Sequence, residues 1–547
     1  MALEDVLFRT TSSQSSIFDV DNYCSAALPS NDWCHVYNKR ILPLIDEEKF
    51  RHFYSESEGR YNCSIKTMIS LLIFMGMEKL TWRDVEFQYP RRLDWLIATN
   101  TPLGEASIDH TTIFKFYQRL EDDTTARDLF TNIADEFIRC CSTTVKKQRT
   151  DSFYIHGWLK ILSRYGLFKE TIRKFLLSLR KQKPGLYEKV KDQLSTDYLE
   201  KEFDLTEKDR ERAHKKISLM ARDLYCLKSA FENHNQVKHY ETFKILCAVF
   251  TQQCELKESS DTAPEVIIKK KPDSNAICSP HNPEVRYVRK GSQRITGNKG
   301  FVTETCDPEN KTQFITDIEV INANENDSKQ QHDIQKRLIE NEFKPEKHYE
   351  DAGFVNGQTI LNSQENGIEL EGPSSGRSQS FEMYEDKDRP FDVSDFKTTI
   401  DENKNELIVT ACPKDQVPKD QKRSKKTDKT IVHFDRTICD KCSCKPRCPV
   451  KIGKRVATFT VDKAQYVGAV RHHKYMSNKK YRKECAVRAG AEATVSELTR
   501  AHGMRKSRHR KKTRTRLQLI FAAISCNVKR FIRHGEMYGY LEPLVAL

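Results

Sequence analysis

The chain has 547 residues, 37% hydrophobic and 31% charged, with a formal net charge of +14. That length exceeds one compact core, so two or three domains, or one heavily inserted domain, are expected. The longest apolar runs, at 68–77 and 517–528, fall short of the roughly 20 residues a membrane span needs.

The opening "MALEDVLFRTTSSQSS" lacks the basic and then apolar pattern of a secretory signal. A soluble cytoplasmic protein without membrane association is therefore expected. Its positive balance suits a polyanionic partner, nucleic acid first, because Lys and Arg release counterions from phosphates. The same balance also serves solubility alone. Its 17 cysteines read as free thiols or metal ligands in a reducing compartment.

Between 61 and 140, stretches such as "IKTMISLLIFMGMEKL" and "SIDHTTIFKFYQRLE" place apolar residues at three- and four-residue intervals, which predicts helices. Ser107 and Asp109 are the capping candidates ahead of Phe114, Phe116 and Leu120. The block reads as a helical domain with basic faces, either a simple bundle or a DNA-contacting one. Residues 158–257 repeat the helical period, and Pro, Ser and Asn then mark a connection.

The period changes at "KGFVTETCD" (299–307) and "TQFITDIEVINAN" (312–324), which alternate apolar and polar residues as two successive strands. Residues 327–343 form an amphipathic pattern with Asp327 as the expected N-cap. "KHYEDAGFVNGQTILNSQENGIELEGP" reads as strand, turn, short helix and strand, so an α/β sheet with at least one parallel pair is expected.

Residues 373–430 are polar and read as a mobile surface excursion. "TFTVDKAQY" (458–466) resumes a strand-like pattern. Two helices, at roughly 478–503 and 513–533, close the chain. The second carries Leu517, Ile520, Phe521, Ile524, Val528 and Phe531 on one face. No internal repeat is visible.

Three acids stand out by position. Asp151 lies in "KKQRTDSFYIHG", where a basic run gives way to a β-prone stretch. Asp351 lies in "HYEDAGF", where a strand meets a Gly turn, and ligands of open α/β sheets gather at the carboxyl ends of strands. Glu492 heads the basic stretch "RAGAEATVSELTRAHGMRKSRHRKK". Arg488, Glu492, Ser496 and Thr499 share a helix face away from Val487, Ala491, Val495 and Leu498. Spacing alone leaves a surface salt bridge from Glu492 to Arg488 as the simple alternative.

Taken together, "RTDSFYIHG", "SPHNPEVRY", "GNKGFVTETCD", "FITDIEVINANENDS", "YEDAGFVNGQTI", "GIELEGPSS" and "RAGAEATVSELTRAHGMRKSRHR" occur in an order that resembles the DDE transposases. Within them, the chain resembles the bacterial insertion-sequence transposases of the IS1182 group. With the N-terminal helical region, the resemblance covers most of 40–535.

It implies a ribonuclease H-like α/β catalytic core, a mixed sheet flanked by helices, with an all-helical N-terminal domain, a helical insertion and a cysteine-bearing insertion. The implied boundaries are 1–145 for the helical domain and 146–535 for the catalytic domain. The insertions fall at 158–260 and 373–456, and a C-terminal tail at 536–547. Asp151 becomes the first catalytic aspartate, on the first strand. Asp351 becomes the second, at the end of the fourth strand, and Glu492 the closing glutamate on a C-terminal helix. Glu350 and Glu497 are neighbours without that role, Glu497 being expected on the surface.

Such a triad implies Mg²⁺ or Mn²⁺ as the cofactor, since carboxylates supply hard oxygen ligands to ions that activate one oxygen and stabilise another. The implied activity is binding of terminal inverted repeats in double-stranded DNA, strand cleavage and strand transfer, by a homodimer on DNA. Related transposases of the IS4 type carry Tyr, Arg, Glu and Lys at fixed offsets. Here Arg488 holds the Arg offset, Cys485 stands at the Tyr offset and Thr499 at the Lys offset, with Arg500 or Arg505 available for the Lys contact. The rival readings are a transposase-derived DNA-binding protein without catalysis and a metal-dependent nuclease without strand transfer.

"ICDKCSCKPRCPV" supplies Cys439, Cys442, Cys444 and Cys448, and Cys412 lies upstream. Thiolates at such spacing suit tetrahedral Zn²⁺, the alternative being reduced thiols without metal. The resemblance selects Cys412, Cys439, Cys442 and Cys448 as the structural zinc set, with Cys444 spare. The density of Arg and Lys from Arg500 to Arg516 reads as a solvated face or, beside a nuclease centre, a phosphate clamp. The DNA-binding candidates are Arg488, Arg500, Arg505, Lys506, Arg508 and Arg510, with Lys299, Lys290 and Arg294 near the second strand weaker. His156 and His348 read as packing or surface histidines.

Overall fold

The computed structural model describes Phe8, Thr10, Val20 and residues 28–55, 61–121, 123–157, 162–200, 209–257, 264–273, 275–374, 389–401, 406–424 and 429–540. A short helix α1 (Trp33–Val36) precedes α2 (Ile65–Met77), α3 (Trp82–Gln88), α4 (Leu93–Ala98), α5 (His110–Arg119) and α6 (Thr125–Cys140). Their starts follow from caps that satisfy orphan amides. Ser64 caps α2, Thr81 and Asp84 close a capping box on α3, and Asp109 accepts the Thr111 amide of α5 at 2.7 Å. Asp109 is thus the cap of the pair expected there, and Ser107 is not.

Strand β1 (Lys147–His156) leads into helices α7 (Arg164–Gln182), α8 (Pro184–Lys191), α9 (Arg210–Phe231) and α10 (Glu241–Gln253). These bury a separate core that includes Phe168, Phe175, Leu224 and Leu246. The connection after them is not plain loop: β2 (Cys254–Lys257) and β3 (Glu265–Ile268) pair as a hairpin. There follow β4 (Arg286–Lys290), β5 (Gln293–Thr305), β6 (Ile315–Asn322), α11 (Asp327–Glu340), β7 (Lys347–Tyr349), α12 (Gly357–Glu365) and β8 (Glu369–Glu371).

The central sheet runs β6-β5-β1-β7-β8, with β4 pairing the other half of the edge of β5 that β6 occupies. β5 is antiparallel to β1 and β6, whereas β1, β7 and β8 are mutually parallel, so the expected parallel pairing is present. The cap of α11 is Asn326, not Asp327 as expected. Asp327 is the first helical residue and its side chain points elsewhere.

The mobile excursion expected over 373–430 is corrected by a folded β unit. It contains β9 (Lys397–Asp401), β10 (Glu406–Ala411), β11 (Asp420–Arg423) and β12 (Thr430–Phe434). Short helix α13 (Arg436–Asp440), β13 (Lys451–Ile452) and β14 (Ala457–Val461) complete it. Val393, Phe396, Leu407, Val409, Val432, Phe434, Phe459 and Val461 form its core. A polar average concealed the period of two in β10, where Leu407, Val409 and Ala411 all point inward. Residues 375–388, 402–405 and 425–428 of that expectation lie outside the described residues.

Helix α14 (Lys463–Ser477) was missed, although Asp462 caps it through the Gln465 amide at 2.6 Å. The helix expected at 478–503 is broken into α15 (Lys479–Cys485), a 3₁₀ turn (Ala486–Gly490) and α16 (Ala491–Arg500). Helix α14 packs closely on α12 at Gly357, where a Cβ would lie 1.7 Å from the Ala464 carbonyl oxygen.

The last helix, α17 (Lys512–Tyr538), is wedged between the N-terminal helices and the sheet. Phe531 stacks on Phe137 of α6 at 4.0 Å, and Ser525 Oγ donates to the Ile73 carbonyl at 2.8 Å. The Asn527 amide group satisfies both backbone polar groups of Ile315, at 2.9 and 2.8 Å. One hydrophobic core therefore joins helices and sheet. Among the described residues no helix is long and apolar enough to cross a membrane.

Candidate active site

Strand register brings two of the three acids level. Arg149 of β1 stands beside Tyr349 of β7 in parallel register. Asp151 and Asp351, each two residues further on, thus reach the same edge of neighbouring strands. This is the carboxyl end of the parallel pair, where open α/β sheets place ligands.

Helix α16 brings Glu492 to β1 through Arg149, whose Nη1 donates to the Val487 carbonyl at 2.9 Å while its Nε and Nη2 hold Glu304 at 2.8 and 2.7 Å. Gly490 lies against that guanidinium: a Cβ there would fall 1.9 Å from Nη1. Glu304, 1% exposed, also accepts from Thr494 Oγ1 at 2.5 Å and from Arg530 Nη1 at 2.9 Å.

Glu497 is not simply surface, as expected from sequence. Its carboxylate holds Arg530 at 2.7 Å and ties α16 to α17. Arg530 arrives from the sequence-distant α17, so nothing local to "VSELTR" signalled that pairing.

Burial, and then the charges of Asp351 and Glu492, push the Asp151 carboxyl up to about 6, against the Ser152 amide and Arg488, which act to lower it. The three acids thus share one electrostatic environment, with Arg488 beside it. The simple alternative for Glu492, an ion pair with Arg488, is not formed: among the described residues neither side chain has an ion-pair partner. Glu492 is exposed and Arg488 half-buried.

Behind these acids lies a layer the sequence reading missed. Glu350 is 0% exposed, and among the described residues neither carboxylate oxygen has a hydrogen-bond partner. Burial, then the charges of Asp351 and Asp327, hold its carboxyl well above the usual range. His348 Nε2 stands 3.5 Å from Glu350 and 2.7 Å from Thr150 Oγ1, and burial lowers this imidazole to about 3. His348 is therefore the packing histidine expected.

Lys299 departs from the expected phosphate contact. It is 6% exposed, and its ammonium donates to Asp327 Oδ1 at 2.6 Å and to the Glu325 carbonyl at 2.8 Å. Strand β5 is buried on both faces from Gly297 to Thr305, so Lys299 has no solvent side to turn to. Arg508 also turns in, donating to the Leu80 carbonyl, because the turn that carries it packs on the helical block. Arg500, Arg505, Lys506 and Arg510 are exposed.

The basic turn is laced to the end of β1, where the His156 amide donates to Arg505 at 3.0 Å and the Ser507 amide donates to His156 at 2.8 Å. Those cations are therefore tied to the end of β1. The side chains of Lys290 and Arg294 lie outside the described residues.

Cys412, Cys439, Cys442 and Cys448 gather at one end of the β unit. Burial, then its neighbours Cys448, Cys412 and Cys442, push the Cys439 thiol up to about 11. The Lys414 amide donates to Cys412 Sγ at 3.3 Å, while Cys444 is buried. Among the described residues the groups of possible ligand atoms within 4.8 Å of one another are Glu497, His502 and Cys526; Glu86, Asp109 and His110; and Asp392, Asp395 and His473, so neither the four cysteines nor the three acids are drawn that close. In the first and third an acid is already engaged from outside the group, by Arg530 and by Arg389, and in the second His110 already holds Glu86.

A family model described as "Transposase DDE domain" matches residues 411–532, and one described as "Transposase domain (DUF772)" matches residues 25–119. The first spans Glu492, Arg530 and the four cysteines; the second spans α1 to α5. No curated protein matches the chain, and no solved structure matches it.

Proposed function

We propose, from the premise that the chain belongs to the DDE transposases of the IS1182 type, whose signature is this pair of matches, that it binds the terminal inverted repeats of a mobile element, cleaves them with Mg²⁺ or Mn²⁺ and transfers the strand to target DNA. What best supports this reading is the shared register of β1 and β7, which sets Asp151 and Asp351 level, together with the charges of Asp351 and Glu492 that both act on Asp151. The strand order β6-β5-β1-β7-β8, an antiparallel meander joined to a parallel pair, supports a ribonuclease H-like core. In this reading residues 1–145 form the helical domain and 146–535 the inserted catalytic domain, acting as a homodimer on DNA.

The donor set fits a hard divalent cation. Among the described residues Asp151, Asp351 and Glu492 accept no hydrogen bond from a cationic side chain, and Asp151 is costly to ionise without a nearby positive charge. When bound, such ions activate the attacking oxygen and stabilise the leaving one. The protein's part is placement. Arg149 and Gly490 set the height of α16, and the β1–β7 register sets the two aspartates level. Arg488 and the exposed Arg500, Arg505, Lys506 and Arg510 would hold phosphates at the same edge.

Cys412, Cys439, Cys442 and Cys448 fit a structural Zn²⁺ by donor type and by the hydrogen bond that the Lys414 amide donates to Cys412 Sγ. The ion would fasten the chain segments at one end of the β unit.

The test uses a supercoiled plasmid carrying the DNA that flanks the gene. Asp351→Ala should abolish Mg²⁺-dependent cleavage and leave binding to that DNA intact; cleavage at the wild-type rate would overturn the reading. Binding retained by all acid variants, with no cutting by the wild type, would favour a DNA-binding protein without catalysis. Cutting without joining would favour a nuclease.

A further inference from the structure

Asp327 has no capping duty, because Asn326 caps α11. Its carboxylate is used twice at the rear of the acid site. Oδ1 accepts Lys299 Nζ at 2.6 Å, and Oδ2 accepts Ser152 Oγ at 3.1 Å. Lys299 is held in place by the Glu325 carbonyl at 2.8 Å and lies over the Tyr154 ring at 5.6 Å. Ser152 is the residue after Asp151.

The other aspartate is equally close. A Cβ on Gly353 would lie 3.0 Å from Asp351 Oδ1 and 3.3 Å from Asp327 Oδ2, so both carboxylates crowd the same turn. Asp351 Oδ1 in turn accepts the Gly353 amide at 2.8 Å. One side chain thus touches β1 immediately beyond Asp151 and the turn that shapes Asp351.

We propose that Asp327, with Lys299 as its fixed counter-charge, is a positioning residue that sets the spacing of Asp151 and Asp351; this rests on the DDE reading above. A carboxylate here without its ammonium would add charge beside Asp351 and the buried Glu350. The Lys299 and Asp327 side chains are 8% and 19% exposed. Ion pairs so enclosed cost desolvation and are weak stabilisers, whereas their defined geometry can hold neighbouring groups in register. Groups that orient metal ligands typically matter by 10–100-fold in metal affinity or activity.

The test measures cleavage of the same plasmid across a Mg²⁺ titration, with urea unfolding in parallel, for full-length wild type, Asp327→Asn, Lys299→Met and the double variant. Asp327→Asn should raise the Mg²⁺ concentration for half-maximal cleavage about tenfold and leave DNA binding unchanged. The double variant removes both buried charges, so its unfolding midpoint should recover relative to Lys299→Met while its Mg²⁺ requirement stays raised.

Wild-type Mg²⁺ dependence in the double variant would show a merely structural pair and overturn the proposal. Should Asp327→Asn fail to fold, Ser152→Ala removes only the hydroxyl and must still raise the Mg²⁺ requirement. Asp351→Ala separates the two readings: if it abolishes cleavage while Asp327→Asn behaves as wild type, only this inference falls. If Asp351→Ala cuts normally, the DDE reading itself falls.

Discussion

Replacing Gly490 with alanine probes how the third acid is held. The new methyl carbon would lie 1.9 Å from Arg149 Nη1 and 2.4 Å from its Cζ, so the guanidinium must move. Moving it breaks the 2.9 Å bond to Val487 and disturbs the 2.7 and 2.8 Å contacts with Glu304. Hydrogen bonds to charged groups contribute about 1.5–3 kcal/mol each. Glu304 keeps Arg530 and Thr494, so its charge is not stranded, and the net loss is about 2–4 kcal/mol rather than the larger penalty of an unpaired buried ion.

Urea unfolding of wild type, Gly490→Ala, Arg149→Met and the double variant measures this loss. Both changes act on the same contact, so they should not add: in the Arg149→Met background the alanine should cost less than about 1 kcal/mol. Cleavage by Gly490→Ala should fall about 100-fold, since displacements near 1 Å cost that much where reacting groups must be aligned. Additive losses, or a wild-type midpoint for Gly490→Ala, would refute the account of how α16 is seated.

Other consequences are equally direct. Phe531→Ala removes a ring stacked on Phe137 in the shared core and should cost about 3–5 kcal/mol in the unfolding of helices and sheet together; unfolding in two separated steps would contradict a common core. Burial pushes the Glu319 carboxyl up, but Arg516, Arg127 and Arg337 outweigh it and hold the group below its ordinary 4.5. A carboxylate depressed in the fold stabilises above that value, and the contribution is lost as pH falls below it. The urea midpoint should therefore drop below about pH 4.5, and Glu319→Gln should flatten that drop. Elemental analysis of protein purified with zinc should find about one ion per chain at the cysteines, lost in a Cys439→Ser, Cys442→Ser variant; a zinc-free wild type would exclude the site.

Much of the sheet was legible because its strands carry their own period. "KGFVTETCD" and "TQFITDIEVINAN" announce β5 and β6, and the Gly turn after "HYED" marks the end of β7. The three acids became visible as a set only through several motifs in order, since Glu492 alone reads as a partner for Arg488. What escaped was decided by residues far apart in the chain. Lys299 looks like any surface lysine until Asp327 receives it, and Glu497 looks exposed until Arg530 arrives from α17. The β unit escaped for a different reason, its inward Leu407 and Val409 being diluted by charged neighbours.

The seating of α17 also sets a schedule. Ile73 and Ser525, bonded through a hydroxyl and a carbonyl, are 452 positions apart, and Tyr117 reaches the Arg514 carbonyl across 397. At synthesis rates of about 5–20 residues per second, the earliest helices wait roughly 20–90 s for the helix that covers them. During that interval their apolar faces lack the cover that α17 provides in the folded chain. The edge carrying Asp151 and Asp351 can emerge with its strands, yet Glu492 and the Arg530 that steadies its helix come only near the end. A nascent or prematurely stopped chain would thus hold Asp151 and Asp351 without Glu492, so on the proposed reading its cutting should appear only once the final helix has closed over the first.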